Sequence, residues 1–141
     1  MMLEEFRVPR AVANEMIAHC EAGRPNEACG ILAGKTGEVV KHYPITNAAA
    51  SPVRYALEPQ EQFTVDRTIE AEGLEVAGAY HSHTRTEAYP SPTDVRLASL
   101  DVPYVIVSLA GKRPSIRAFL IEKEDWLDDH GTIREVPVAI I

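Results

Sequence analysis

The chain has 141 residues, 45% hydrophobic and 25% charged. At ~100–200 residues per domain this predicts one domain over 1–141 with a core of its own. With 14 Lys and Arg against 21 Asp and Glu the net charge is −7. That balance argues against nucleic acid or an anionic membrane surface as partner, since both require a cationic face.

No apolar run approaches the ~20 residues of a membrane span. The N-terminal Met-Met-Leu-Glu-Glu-Phe-Arg carries acids where a signal peptide has a basic region, so a cytoplasmic protein is expected. Cys20 and Cys29 fit no zinc-finger or C-x-x-C spacing, and in a reducing cytosol they read as small buried hydrophobes.

A first helix is predicted from Pro9 to Ala22, because Val12, Met16 and Cys20 recur at i, i+4, i+8 with Ala13 and Ile17 beside them. Pro9 suits the first turn, and Gly23 the position past the end. His19, in the last turn, reads as structural. Ala28–Ala33 and Glu38–Tyr43 read as strands of a hairpin turning through Gly34-Lys35-Thr36-Gly37, with His42 on the surface. A short strand is expected over Val53–Leu57. Glu58-Pro59 then opens a second helix ending near Gly73.

Leu74–Ser82 reads as a buried strand, with Gly78 where something approaches closely. A third helix is expected over Asp94–Leu100, strands over Pro103–Leu109 and Ser115–Ile121, and an edge strand in Ile133–Ile141. Interleaved strands and helices with hairpin connections predict an α/β fold, a mixed sheet flanked by helices.

The chemistry concentrates in His81-Ser82-His83, with Asp94 following after ten residues. On a strand, side chains alternate, so the two imidazoles share one face and can reach one metal ion. A carboxylate from a later element would be the third ligand, leaving a position for water as in catalytic zinc sites. Such H-x-H pairs also occur on solvated strands. Ser91-Pro92-Thr93-Asp94 has the form of a helix start, in which Ser91 caps and Asp94 completes a capping box. That start would also mount a carboxylate and a hydroxyl rigidly near the histidines.

Zinc deaminases carry a P-C-x-x-C that is absent here, and the H-E-x-x-H of zincins is missing too. His81-x-His83-x3-Glu87 resembles part of a cupin motif, but three helical patterns count against a jelly roll. Two His and one Asp also match the facial triad of non-haem iron oxygenases, an alternative that ligand type leaves open.

The set His81, His83, Ser91, Asp94, with Asn26-Glu27-Ala28-Cys29-Gly30 ahead of an apolar strand, resembles the JAMM (MPN+) metalloproteases. The resemblance runs from about Pro25 to Leu109. It implies a cytidine-deaminase-like α/β fold, zinc on His81, His83 and Asp94, Glu27 as acid/base, and Ser91 as stabiliser of the tetrahedral intermediate. Nothing else in the sequence singles out Glu27. The stretch His81–Ala98 is similar to small bacterial members, including hydrolases that release cysteine from a ubiquitin-like sulfur carrier. The activity so implied is cleavage of the amide or isopeptide bond after the C-terminal Gly-Gly of such a carrier. Alternatives are a general JAMM isopeptidase and a non-catalytic MPN scaffold, although scaffolds usually lack part of the ligand set. The Thr84–Pro90 loop, stiffened by Tyr89-Pro90, is expected to wall a channel narrow enough for glycines alone, beside an open strand edge.

Overall fold

A computed structural model describes residues 3–35 and 37–141; Met1, Met2 and Thr36 of the expected hairpin turn lie outside them. The elements are β1 (Phe6–Val8), α1 (Arg10–Gly23), β2 (Cys29–Lys35), β3 (Glu38–Ile45), α2 (Pro59–Ala71), β4 (Glu75–His83), α3 (Pro92–Leu97), β5 (Tyr104–Ser108), β6 (Ser115–Glu122), β7 (Thr132–Val136) and β8 (Val138–Ile140). The strands form one mixed sheet in the order β7-β6-β5-β4-β2-β3-β1-β8. The expected α/β class is borne out.

Strand alternation sorts the core into two layers. On one face Leu32, Tyr80, Val105 and Val107 pack with Val12, Ala13, Met16 and Cys20 of α1. On the other, Ile31, Ala79 and Tyr104 pack with Ile69 of α2 and Val95 of α3. The stripe that defined α1 is thus the side it buries. α2 starts where Glu58 caps it, accepting from the Glu61 N–H at 2.7 Å, with Pro59 in the first turn. Both cysteines are free and buried, as expected.

The structure corrects several details. β1 is a strand of only three residues that the sequence reading did not contain. Pro9 stands at the N-cap of α1 rather than inside it, and Gly23 is its last residue. The third helix is Pro92–Leu97, so Asp94 lies in its first turn rather than opening it. Val53–Leu57 is no strand; only Leu57 makes an isolated bridge, to Asn47. The tail forms two strands, not one. β7 pairs with β6 while β8 pairs with β1, at opposite ends of the sheet order, although only Pro137 separates them. The sheet therefore curls until its outer strands meet at that proline. At Gly78 the close neighbours are the Pro103 carbonyl and the Phe6 ring, 3.1 and 3.3 Å from where a Cβ would stand.

Candidate metal centre and active site

β4 carries two ligand candidates because of its pleat. Tyr80 belongs to the α1 layer, whereas Ala79 belongs to the α2 and α3 layer, and His81 and His83 continue on that second side. The strand is gripped in register at this point. Ser82 Oγ accepts from the Ala28 N–H at 2.8 Å, and the Ser82 N–H donates to the Ala28 carbonyl at 3.0 Å. Gly30 permits the packing behind, since a Cβ there would overlap the Tyr80 ring and the Tyr43 carbonyl.

Asp94 comes from the first turn of α3, held by a complete capping box. Ser91 Oγ accepts from the Asp94 N–H at 3.0 Å, and the Ser91 N–H donates to Asp94 Oδ2 at 2.9 Å. That Oδ2 lies 3.2 Å from His81 Nε2 and 3.0 Å from His83 Nε2, and the two Nε2 atoms are 3.3 Å apart. For metal–ligand bonds of ~2.0–2.1 Å in tetrahedral geometry, donor atoms stand ~3.3–3.4 Å from one another. The triangle is close to that size.

The proton inventory also fits a cation. His83 Nδ1 lies 2.8 Å from the Glu87 carbonyl, which can only accept, so the ring proton belongs there and Nε2 presents a lone pair. All three residues are buried, and His81, His83 and Asp94 form the group that could hold a metal ion among the described residues. Burial pushes the His81 imidazole down, toward its neutral form. At Asp94 burial acts upward, but the contacts with His81, His83 and the Ser91 N–H outweigh it and hold the carboxyl well below its usual range. At His83 burial acts downward, and Asp94 with the Glu87 carbonyl outweighs it and raises the pKa. A proton and a metal ion compete there for one lone pair.

Glu27 lies two residues before β2 and is 5% exposed, with Oε1 buried and without a hydrogen-bond partner among the described residues. Burial pushes its carboxyl up to about 8; the charge of Asp94 adds to the rise and His83 opposes it. Its backbone is fixed on both sides, the N–H donating to the Ser51 carbonyl at 2.9 Å and the carbonyl accepting from Asn47 Nδ2 at 2.9 Å. Beside the ligands opens a cleft of about 260 Å³ lined by Arg54, Tyr55, Leu57, Thr93, Asp94 and Tyr104 among others. Among the described residues, Arg54 is the one cationic residue on its wall.

The channel pictured from the sequence is only partly there. The Thr84–Pro90 loop is pinned, Thr86 accepting from Ser108 Oγ at 2.6 Å and Tyr89 packing edge-on against Phe119, but Tyr89 does not line the cleft. Nor is a strand edge open at His81 among the described residues. At His81 both sides are taken, by Cys29 of β2 and Ile106 of β5, and at His83 the β5 side is taken by Ser108. Two residues near the site escaped the sequence reading, Asn47 and Tyr55, whose ring stacks on His81 with centroids 4.3 Å apart. Asn47 followed by Ala-Ala carried an Asx-turn signal; Tyr55 carried none.

A sheet strand offering two imidazoles to a capped aspartate, with a buried glutamate alongside, defines a metal-dependent hydrolase type of site. Residues 9–122 match the family described as prokaryotic homologs of the JAB domain, and the chain belongs to it. This bears out the JAMM resemblance. The chain is 41% identical to the CysO-cysteine peptidase of Mycobacterium tuberculosis over 134 residues, covering 92% of this chain and 87% of that one. It is 37% identical to a probable TtuB-protein conjugate cleaving protease of Thermus thermophilus (81% and 74% covered) and 33% identical to a desampylase of Haloferax volcanii (90% of each). Its fold matches a solution structure from Desulfitobacterium hafniense with TM-score 0.85 and 33% identity, covering 96% of this chain and 92% of that one.

Proposed function

We propose that residues 1–141 act as one catalytic domain, a zinc-dependent hydrolase cutting the amide bond after the C-terminal Gly-Gly of a ubiquitin-like sulfur carrier and releasing cysteine. The observation that carries this reading is the convergence of His81 Nε2, His83 Nε2 and Asp94 Oδ2 within 3.0–3.3 Å beside an accessible cleft. The names of the peptidase and conjugate-cleaving relatives support the substrate class. When bound there, zinc would lower the pKa of a coordinated water to ~7 and polarise the scissile carbonyl.

The chain's own residues divide the remaining work. Glu27, buried and with a free carboxylate oxygen, takes a proton from water and returns it to the leaving amine. Ser91 uses its oxygen lone pair to cap α3, which leaves its hydroxyl proton free for the developing oxyanion. Arg54, a cation on the cleft wall, suits the free carboxylate of a released amino acid. Free, buried Cys20 and Cys29 accord with a reducing cytoplasm, and among the described residues no helix is long and apolar enough to cross a membrane.

The test is hydrolysis followed by mass spectrometry with metal content measured on the same sample. We expect about one zinc per chain, and conversion of carrier–Gly-Gly–cysteine to carrier and free cysteine that a strong chelator stops. Changing the carrier's last glycine to valine should cost more in kcat/KM than changing the released amino acid. Faster cleavage of a lysine-linked protein conjugate would make the chain a general isopeptidase, and cleavage of casein a broad peptidase. Iron with oxygen consumption would move it to the oxygenases, and no turnover on a full metal complement would make it a scaffold.

A further inference from the structure

We propose that Tyr55 is a positioning residue for His81, orienting its imidazole by stacking where a hydrogen bond would ordinarily do so. Metal-ligating histidines usually donate their outer ring N–H to a carboxylate, carbonyl or water, which fixes the ring about its own axis. His83 follows that rule through its Nδ1 contact with the Glu87 carbonyl at 2.8 Å. His81 does not, for its Nδ1 is buried with no hydrogen-bond partner among the described residues. Rotation of that ring would carry Nε2 away from Asp94 and His83. What opposes rotation is the Tyr55 ring, lying at 4.3 Å between centroids and tilted only 22°.

A stacking partner can orient a ligand only if it is itself fixed, and Tyr55 stands in a stretch with neither helix nor strand. Asn47 supplies the anchor. Its Nδ2 donates to the Arg54 carbonyl at 3.1 Å, and its Oδ1 accepts from the Ala56 N–H at 3.0 Å, so one amide grips the chain on either side of Tyr55. The same Oδ1 accepts from the Ala49 N–H at 2.9 Å, and the same Nδ2 donates to the Glu27 carbonyl at 2.9 Å. Within this loop Ala50 takes φ of 45°, a region costly for a residue with a side chain, so the bonds impose the loop's shape rather than merely decorate it. One side chain therefore ties the backbone of the acid/base candidate to the tyrosine that steadies a metal ligand.

The experiment measures zinc affinity of the full chain by competition with a chromophoric chelator, with circular dichroism of the metal-free protein as the check on folding. Tyr55→Phe keeps the stack and should bind zinc as the parent does. Tyr55→Leu removes it and should bind ~10–100-fold more weakly, the usual effect of losing a ligand's orienting partner. In the metal-free protein, His81 ring protons should show an upfield ring-current shift in the parent and in Tyr55→Phe. Unchanged affinity in Tyr55→Leu overturns the proposal, and so does Tyr55→Phe falling as far as Tyr55→Leu, which would assign the effect to the hydroxyl. If Tyr55→Leu does not fold, Asn47→Ala decides, since it frees the loop that holds Tyr55 while removing no ring. Weaker zinc binding there supports the proposal and parental affinity overturns it. The inference rests on the metal reading of the site; parent protein that takes up no divalent metal defeats that reading, whereas parent binding matched by Tyr55→Leu defeats this proposal alone.

Discussion

Glu27 is in a position that folding alone would not favour. A carboxylate without a partner for one oxygen, shut away from water, costs stability whether it holds its charge or a proton. Glu27→Gln keeps the shape and removes the ability to take a proton. We expect it to retain metal and lose nearly all turnover, measured as kcat with metal content on one sample; a parental rate would remove Glu27 from the chemistry. Ser91 has a visible structural duty in the capping box of α3, so the catalytic duty proposed for it has to be separated from that one. Loss of the cap in Ser91→Ala should lower stability by ~1 kcal/mol. Loss of an oxyanion donor should lower kcat by ~10²–10³-fold. A stability change with turnover intact would leave Ser91 as a cap and nothing more.

Between elements, the decisive joint is that of β2 with β4, where Ser82 reaches across to the Ala28 N–H. Ser82→Ala strands that buried donor, a loss of ~1–3 kcal/mol, and should shift the thermal midpoint downward. Because Ala28 follows Glu27 and Ser82 lies between the two histidines, activity should fall further than stability does. Legibility in the sequence followed how local each signal was. The α1 stripe and the Ser91–Asp94 box are written in neighbouring residues, and the structure keeps both. Strand alternation alone placed His81 and His83 on one face. β1 was illegible because three residues carry no period, and its strand exists only through partners β3 and β8. Val53–Leu57 misled because Val and Tyr favour strands, whereas the Asn47 side chain ties up backbone groups that a strand would use. Glu27 needed the family resemblance, as nothing near it in sequence shows that the fold buries it.

Across the whole molecule, α1 and the sheet meet in a polar contact. His19 Nδ1 and His42 Nδ1 lie 2.7 and 3.2 Å from the Tyr80 hydroxyl. His42 was expected on the surface, yet its side chain is 11% exposed, with Nε2 3.4 Å from Glu15. Burial lowers both imidazoles from their ordinary value of 6.5; His42 adds to the effect at His19, and Glu15 opposes it at His42. A histidine whose folded pKa is depressed binds fewer protons folded than unfolded, so its stabilisation is present above 6.5 and is lost as pH falls through the folded pKa. The thermal midpoint should therefore drop on acidification below about pH 6.5, and a His19→Gln, His42→Gln double variant should flatten that slope. An identical slope in the double variant would trace acid sensitivity to other groups. The curled sheet bears on the order of folding. One of its ladders joins β1 to β8, strands far apart in the sequence. As the polypeptide leaves the ribosome, the outer side of β1 stays without its neighbour until residues 138–140 emerge. Loop entropy penalises so distant a pairing, which makes formation of that ladder a late event in folding.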